Sequence, residues 1–408
     1  MTILMVNKFH YLRGGAERYY FDLMALLERH GHRVIPFSTR DPRNRPAEDA
    51  ADFAPGTDFE RPAGALESLK RAVQVVYSPA ARQAFARALA RHRPDIVHLH
   101  NFAHHLSPSI LDEIGHARVP AVQTLHDFKL LCPTYLMLCH GEICERCAGG
   151  NVAHAVIHRC NRGSLAMSAV NAVESLVAAR RHSYDHVRRF LCPSRFLRDK
   201  LAQHGFAGER LVHLPLFLDP AQFAPADGGG DGGYAIFVGR LSPEKGIATL
   251  MAAAARLPGV PLVMVGEGQL EQAIAAECAS RGLGQVRRMG RLEGDALLDL
   301  WRGARFTVVP SQCYENFPLV VVEAFALGQP VIASDLGGLA ELVDSGRTGI
   351  LVPPGDAAAL AEAMDQLYHH PARARAMGEE AKAEVAAHFT PAIHLERLLE
   401  VYAAAGAR

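Results

Sequence analysis

The chain has 408 residues, more than one hydrophobic core normally organises, so two or three domains are expected. Apolar residues make up 49% of it and charged residues 21%, which is the balance of a folded globular protein and excludes a disordered one. The 43 basic and 43 acidic side chains cancel, which argues against a general nucleic-acid-binding protein.

The charge is divided unevenly along the chain. Residues 1–218 carry 28 basic and 20 acidic side chains, and residues 219–408 carry 15 and 23, so the halves have net charges of +8 and −8. Opposite charges predict two domains with different partners. No stretch has the roughly 18 apolar residues of a membrane span, and Met1–Phe9 lacks the features of an export signal. We therefore expect a cytoplasmic protein whose eight cysteines are reduced thiols or metal ligands.

Short β-rich runs alternate with helical stretches in the first half. The strand candidate Ile3–Val6 is followed by a helical pattern over Glu17–His30, and residues 41–65 have the composition of a loop. Strands that alternate with helices predict a parallel sheet covered on both faces. The later strand candidates of this half are Val34–Phe37, Ile96–Leu99, Val119–Leu125 and Phe190–Cys192.

The second half repeats this alternation after a break. Residues 219–233 are rich in Gly and Pro and have no periodicity, which predicts a linker. The chain is therefore predicted to be an α/β protein with two doubly wound, Rossmann-like domains, whose ligands bind at the carboxyl ends of the strands. The strand candidates of the second half are Tyr234–Val238, Leu262–Val265, Phe306–Val309, Val331–Ala333 and Ile350–Val352.

Two glycine-containing turns each follow the first strand of a half. Gly14 and Gly15 open the helix that contains Glu17, and paired glycines there let backbone N–H groups approach an anion; the alternative is a plain strand-to-helix turn. In the second half, Arg240 and Lys245 stand five residues apart in a Gly-bounded turn. Their donors suit a diphosphate, and the alternative is two solvated surface cations.

Glu315 and Glu323 stand eight residues apart after the strand Phe306–Val309. Pro318 fits the first position of a helix, so the backbone N–H groups around residues 316–319 would face a negative group. Glu323 would then lie among apolar neighbours more than one turn into that helix, where a carboxylate needs a partner. Ribose hydroxyls are suitable partners, and a structural ion pair is the alternative.

One histidine and one group of cysteines complete the candidates. His126 follows the strand Val119–Leu125, where it is either a site residue or a structural histidine. A C-x11-C-x2-C-x12-C pattern in the Cys-rich insert 132–160 can form a closed structural zinc site; the alternative is reduced thiols in a loop. The pattern consists of Cys132, Cys144, Cys147 and Cys160, with Cys139 and His140 between them.

Several motifs together resemble one enzyme family. The second half contains VGRLSPEKG, VGEG and PSQCYENFPLVVVEAFALGQPVIASDLGG, and the first half contains GGAER and THDF. This set resembles glycosyltransferase family 4, the retaining, nucleotide-sugar-dependent enzymes of the GT-B fold, over nearly the whole chain, and the Cys-rich insert resembles that of a subgroup. The resemblance implies an acceptor-side domain over 1–218, the linker 219–233, a nucleotide-sugar domain over 234–388 facing it across a cleft, and a terminal helix, 389–408, that crosses back to the first domain.

The resemblance also implies roles for individual residues. Glu315 and His126 are expected near the reacting sugar, and Gly14 and Glu17 on the acceptor side. The sequence Asn316-Phe317-Pro318 departs from the Phe-Gly that many members carry there, which leaves the contacts around the donor sugar open. The residues expected to bind the donor are Arg240, Lys245, Glu323, Asn316, Phe317, Pro318 and Gly15.

The expected reaction is transfer of a sugar, with retention, from a UDP- or GDP-sugar to a hydroxyl of a glycan or lipid-linked acceptor in polysaccharide, lipopolysaccharide or other glycoconjugate synthesis. No Asp-x-Asp cluster is present to hold Mg²⁺, so catalysis without a metal is expected. A nucleotide-sugar epimerase on the same fold and a non-catalytic nucleotide-sugar sensor are the alternatives. Basic side chains of the first half predict peripheral contact with an anionic membrane surface, unless they are simply solvated. They include Lys70, Arg71, Arg82, Arg87, Arg91, Arg93, Arg180, Arg181, Arg188 and Arg189.

Overall fold

The computed structural model describes residues 1–59, 61, 64–223 and 233–407. The chain divides into two compact units: residues 1–139, 144–215 and 394–408 form the first, and residues 140–143 and 216–393 form the second. The predicted division was 1–218, a linker 219–233, 234–388 and a terminal helix 389–408. The observed second unit starts at residue 216 and also includes residues 140–143. Most of the predicted linker, residues 224–232, lies outside the described residues, and Pro220–Phe223 before it forms a short 3-10 helix.

The strands are short and mostly buried. They are β1 (Thr2–Val6), β2 (Arg33–Phe37), β3 (Ile96–Leu99), β4 (Ala121–Thr124), β5 (Leu138–Cys139), β6 (Glu142–Ile143), β7 (Arg189–Cys192), β8 (Leu211–His213), β9 (Ala235–Val238), β10 (Leu262–Val265), β11 (Val286–Arg288), β12 (Phe306–Val309), β13 (Val331–Ser334) and β14 (Gly349–Val352).

The helices lie between these strands. They are α1 (Gly15–Arg29), α2 (Ala65–Val76), α3 (Pro79–His92), α4 (Ser109–Ala117), α5 (Ala153–Ile157), α6 (Leu165–Arg180), α7 (Arg195–Gln203), α8 (Ile247–Ala254), α9 (Glu271–Arg281), α10 (Gly294–Arg302), α11 (Leu319–Ala326), α12 (Gly338–Leu342), α13 (Ala357–His369), α14 (Pro371–His388) and α15 (Pro391–Ala404).

Each unit contains a six-stranded parallel sheet. The order is β2-β1-β3-β4-β7-β8 in the first unit and β11-β10-β9-β12-β13-β14 in the second. In each sheet the chain first builds to one side of its opening strand and then to the other. The order therefore reverses between β1 and β3, and between β9 and β12, and such reversals open the crevice where ligands of these sheets bind.

The second sheet is covered by apolar side chains on both faces. Phe237 and Met264 belong to one buried cluster and Ile236 and Val263 to another, so alternate residues of β9 and β10 point to opposite faces. Strands that are buried on both sides are built from continuous apolar runs, and this explains why the sequence identified most of them. The predicted α/β fold with two doubly wound, Rossmann-like halves is confirmed.

The last helix, α15, completes the first unit, as the resemblance implied. The Tyr19 hydroxyl is hydrogen-bonded to Nε2 of His394 at 2.9 Å, and Nδ1 of His394 lies 2.8 Å from the Pro215 carbonyl oxygen. Further along the helix, the Tyr402 hydroxyl lies 2.7 Å from Nδ1 of His98 in β3. These side chains are all buried, so α15 is part of the core of this unit.

Two details differ from the sequence predictions. The helix after β12 begins at Leu319, and Pro318 precedes it with extended backbone (φ −74°, ψ 104°) instead of occupying its first position. Four strands were not predicted. Strands β5 and β6 have only two residues each, and β8 and β11 have three residues each and lie at sheet edges, where the apolar pattern is weak. Among the described residues, no helix is long and apolar enough to cross a membrane.

Candidate active site

Two loops meet where the strand order of the second sheet reverses. The loop after β9 carries Lys245 and the loop after β12 carries Glu315. Nζ of Lys245 donates a 2.6 Å hydrogen bond to Oε1 of Glu315, and the Ser311 hydroxyl donates a 2.7 Å bond to the same oxygen. The Lys245 side chain is 29% exposed and that of Glu315 is 14% exposed, so the ion pair is largely removed from water but remains accessible.

A glycine brings these loops together. Gly246 has φ +70°, a left-handed conformation, and a Cβ there would lie 1.8 Å from the carbonyl oxygen of Pro310. Only a residue without a side chain allows this approach. The backbone N–H of Gln312 donates a 2.8 Å bond to the carbonyl oxygen of Glu244, which fixes the second loop against the first. Lys245 is therefore placed by backbone packing as well as by its charge.

The ion pair is charged at neutral pH. Burial alone would lower the pKa of Lys245, but the Glu315 carboxylate outweighs it and the pKa is raised above its usual value. Burial alone would raise the pKa of Glu315, but Lys245 and the Ser311 hydroxyl outweigh it and the pKa is lowered. Each residue thus stabilises the charge of the other.

The remaining predicted donor-binding residues of this unit lie on the same two loops and on α11. Arg240 is exposed, and its positive charge is close enough to act on the pKa of both Lys245 and Glu315, in the lowering direction. Asn316 is buried and Phe317 is half-buried. Glu323 is half-buried on the second turn of α11. Pro318 is buried just before that helix.

An open hollow lies beyond the neighbouring strands of the same sheet. It is lined by Glu267, Arg291 and Glu293, from the loops that follow β10 and β11. The backbone N–H of Gly266 donates a 2.8 Å bond to the carbonyl oxygen of Gly290, which joins these two loops. The hollow therefore belongs to the carboxyl edge of the sheet that also carries Lys245.

The first unit has a polar cluster at the corresponding edge of its own sheet. Gly14 and Gly15 are exposed at the start of α1, and Glu17 is buried in the first turn of that helix. The Asn7 side chain, directly after β1, lies 3.5 Å from Glu17. Burial raises the pKa of Glu17, and the nearby Lys8 partly opposes the change.

His126 lies at the end of β4 in this cluster. Its Nε2 is 3.0 Å from Nδ1 of His100, whose ring is stacked on it, and Tyr19 packs edge-on at 5.6 Å. Burial, together with the charge of Lys8, lowers the pKa of His126 to about 3, and burial lowers that of His100 well below its usual value. Both rings are therefore neutral at physiological pH and can donate and accept hydrogen bonds.

Several charged residues of this cluster were missed in the sequence. Burial lowers the pKa of Lys8 and raises that of Asp127, although their opposite charges counteract both changes. Lys129 forms a buried ion pair with Glu174 of α6 and donates a 3.0 Å bond to the carbonyl oxygen of Pro133. Lys8 could have been found, because it follows a strand directly as His126 does. The partner Glu174 is 45 residues from Lys129, and no local signal joins them.

The four cysteines of the predicted zinc pattern are brought together. Cys132, Cys144, Cys147 and Cys160 line a single small cavity of the first unit, and all are free thiols. Cys139 is buried beside them, with its sulfur 3.8 Å from that of Cys160.

Two family descriptions match the chain almost end to end. "Glycosyltransferase Family 4" matches residues 13–222, just over half of the chain, and "Glycosyl transferases group 1" matches residues 222–384. The chain belongs to glycosyltransferase family 4. The resemblance drawn from the motifs is confirmed, and the predicted fold class is that of this family.

Individual relatives of this family 4 member are moderately similar. Glycogen synthase of Mycobacterium tuberculosis (strain CDC 1551 / Oshkosh) is 37% identical over 175 residues, which cover 42% of this chain and 42% of that protein. Alpha-maltose-1-phosphate synthase of Mycolicibacterium smegmatis (strain ATCC 700084 / mc(2)155) is 31% identical over 305 residues, 70% of this chain and 73% of that protein. The chain thus spans about two fifths of the length of the first relative.

The fold is also found among solved structures. Anabaena Alr3699/HepE in complex with UDP is similar over 99% of this chain and 100% of that chain, with a TM-score of 0.70 and 20% sequence identity. At this identity the similarity shows a shared fold.

Proposed function

We propose that this family 4 member transfers a sugar from a nucleoside diphosphate sugar to a hydroxyl group of an acceptor. The observation that carries the proposal is the Lys245–Glu315 ion pair at the strand-order reversal of the second sheet, with the exposed Arg240 beside it. Two cations at this position suit the two phosphates of a nucleoside diphosphate. When the bond between sugar and phosphate breaks, negative charge develops on the diphosphate, and Lys245 and Arg240 would neutralise it there.

In this proposal Glu315 has two tasks. Its carboxylate keeps Lys245 charged and pointed at the site before the donor binds, and its second oxygen would accept a hydrogen bond from the donor sugar. The backbone N–H groups at the start of α11, next to Asn316 and Phe317, would contribute further positive potential. Glu323, half-buried on the same helix, would accept hydrogen bonds from the ribose hydroxyls. The hollow lined by Arg291 would receive the base.

We propose retention of the anomeric configuration, by attack on the sugar from the face that the diphosphate leaves. Glu315 is a poor nucleophile, because its pKa is lowered and one oxygen already accepts two hydrogen bonds. A departing phosphate oxygen is then the base that receives the acceptor proton. Because Lys245 and Arg240 supply the positive charge needed by the leaving group, we propose that the reaction requires no metal ion.

The decisive experiment compares nucleotide binding and turnover in the wild type, in Lys245→Ala and in the control Lys382→Ala, which removes an exposed lysine of α14. Thermal shift with UDP, GDP, ADP and dTDP should identify one stabilising nucleotide, lost only in Lys245→Ala. Slow release of that nucleotide from its sugar, unaffected by EDTA, should follow the same pattern, and NMR should show a product anomer matching that of the donor. If Lys245→Ala and Lys382→Ala bound the nucleotide equally well, Lys245 would not be a ligand of the diphosphate. Interconversion of donor sugars without any acceptor would favour an epimerase.

We further propose that the first unit contacts an anionic membrane surface, where a lipid-linked or other surface glycan would be the acceptor. Among the described residues, every large exposed apolar side chain lies between Leu12 and Leu176. Helices α2 and α6 pack against each other, and both leave apolar side chains in solvent. Those of α2 are Leu66, Leu69 and Val73, 69%, 63% and 53% exposed, and those of α6 are Leu165, Met167, Val173 and Leu176.

The charge around these apolar residues fits anionic lipid. Lys70 on α2 and Arg180 and Arg181 at the end of α6 are exposed, and residues 1–218 carry a net charge of +8. Apolar side chains beside basic ones allow a helix to enter the headgroup region while its cations contact the phosphates. Attachment of this kind would place a cytoplasmic enzyme at the inner face of a membrane.

A further inference from the structure

Five cysteines of the first unit converge in the segment between β4 and β7. Cys132, Cys144, Cys147 and Cys160 line one cavity, together with His154 and His158, and the space open to a water-sized sphere measures about 10 Å³. That is the room needed by one water molecule or one ion. Cys132 and Cys147 are buried, whereas Cys144 and Cys160 are half-buried, so the cavity lies just beneath the surface.

The thiols are free and close to one another. The Sγ atoms of Cys139 and Cys160 are 3.8 Å apart, far beyond the roughly 2.05 Å of a disulfide bond. Among the described residues, the sulfurs of Cys132, Cys144, Cys147 and Cys160 share a cavity but do not all lie within 4.8 Å of one another. Ligand sulfurs of a tetrahedral zinc site are about 3.8 Å apart, so an ion would have to draw these four thiols together.

The segment that carries these thiols has little regular secondary structure to stabilise it. Its regular structure between Cys132 and Cys160 is limited to α5, of five residues, and to the two-residue strands β5 and β6. Tight turns place the cysteines: the N–H of Cys132 bonds the carbonyl oxygen of Phe128 at 2.8 Å, and the N–H of Cys160 bonds that of Ala155 at 3.0 Å. Segments too small for a hydrophobic core are commonly stabilised by a bound metal.

We propose that Cys132, Cys144, Cys147 and Cys160 bind one Zn²⁺ ion as a closed, structural site. Four thiolates fill the tetrahedral sphere and leave no position for substrate, so the ion would not take part in chemistry. In the structure the Cys160 thiol donates a 3.8 Å S–H···S hydrogen bond to the sulfur of Cys139. Once Cys160 is bound as a thiolate the bond would reverse, with Cys139 as the donor and supporting neighbour of the site. The inference does not depend on the proposed sugar transfer.

The position of the site gives it a structural consequence. Cys132 follows His126 by six residues in the same loop, and Lys129 between them bonds the carbonyl oxygen of Pro133 and forms an ion pair with Glu174. Zinc would thus fix the far end of the loop that holds His126 and Asp127. Loss of the ion would loosen that loop without removing any residue that contacts substrate.

The test uses the full chain, prepared under reducing conditions in zinc-supplemented medium without chelators. Elemental analysis should find about one zinc per chain, and a mercurial thiol reagent should release it. The variant Cys147→Ser should lose about tenfold or more of the bound zinc, while the controls Cys139→Ser and Cys278→Ser should keep it. Wild-type protein that holds no zinc after supplementation would overturn the proposal, and zinc loss in Cys139→Ser as complete as in Cys147→Ser would overturn this ligand set.

A second measurement guards against variants that fail to fold. Wild-type protein from which zinc has been removed under reducing conditions, then given Co²⁺, should show the ligand-field and charge-transfer absorption of tetrahedral cobalt bound to four thiolates. Titration with Zn²⁺ should abolish that absorption at one equivalent. An octahedral cobalt spectrum, or four thiols that react freely in the presence of excess zinc, would overturn the proposal regardless of how the variants behave.

Discussion

Lys245 donates a 2.6 Å hydrogen bond to Glu315, although the two residues are 70 positions apart in the chain. The contact joins the loops on either side of the strand-order reversal in the second sheet. Each charge stabilises the other in the structure. Under the proposed function, Glu315 holds Lys245 in place and charged, and a bound diphosphate would become a second anionic partner of Lys245.

Replacing Glu315 by Gln should lower kcat/KM by about 10²–10³-fold, the usual effect of removing a group that acts at the transition state. Nucleotide affinity should change much less, because Lys245 and Arg240 remain. Steady-state kinetics and calorimetric titration of the nucleotide separate the two effects. Glu379→Gln, which changes an exposed carboxylate on α14, is the matched control and should behave as wild type. Loss of affinity in proportion to activity would assign Glu315 to binding alone.

Replacing Gly246 by Ala should destabilise the second unit and abolish nucleotide binding. The left-handed backbone costs a non-glycine residue about 1–2 kcal/mol, and the new Cβ would also lie 1.8 Å from the Pro310 carbonyl oxygen. The loop must then move, and Lys245 moves with it. Thermal unfolding of Gly246→Ala is best compared with Gly259→Ala, where a Cβ would meet nothing within 4 Å. Equal melting temperatures would show that this loop packing is not required.

The buried His394 should make the first unit sensitive to acid. Burial lowers its pKa from the usual 6.5 to about 4, so the unfolded chain binds more protons than the folded one between these values. The stability that the neutral ring contributes is complete above pH 6.5 and is lost as pH falls towards 4, by at most about 1.4 kcal/mol per pH unit.

Hydrogen exchange of β1 and β3 peptides from pH 7.5 down to pH 4.5 measures this effect. His394→Gln keeps polar atoms near Tyr19 and Pro215 but cannot titrate. The protection of its β1 and β3 amides from hydrogen exchange should therefore fall less steeply with decreasing pH than in the wild type. His369→Gln, at an exposed position on α13, serves as control. Parallel curves for His394→Gln and wild type would rule out His394 as the source of acid sensitivity.

Membrane contact predicts a lipid- and salt-dependent association. The full chain should float with vesicles that contain phosphatidylglycerol at low salt, and less with pure phosphatidylcholine or at high salt. Leu66→Ser combined with Leu69→Ser should reduce flotation several-fold while leaving nucleotide binding unchanged, because both side chains are largely exposed. Equal flotation of this variant and the wild type would remove α2 from the proposed surface.

The sequence predicted the fold well because buried parallel strands are continuous apolar runs. It failed at the two-residue strands β5 and β6, and at β8 and β11, where three residues at a sheet edge carry little pattern, as in Val286-Arg287-Arg288. Candidate site residues in the loops after strands, such as Lys245 and His126, were proposed from the rule that ligands bind at the carboxyl ends of strands. The Lys129–Glu174 pair and the 3.8 Å approach of Cys139 to Cys160 could not, because both depend on how distant segments pack.

The place of α15 in the first unit has a consequence for the order in which the protein is made. His98 meets Tyr402 across 304 positions, and Tyr19 meets His394 across 375. A ribosome therefore releases the six strands of the first sheet long before the helix that covers these side chains, and residues 216–393 of the second unit emerge in between. Until residues 394–404 have been made, part of the interior of the first unit is uncovered, and uncovered apolar surface favours aggregation of the nascent chain.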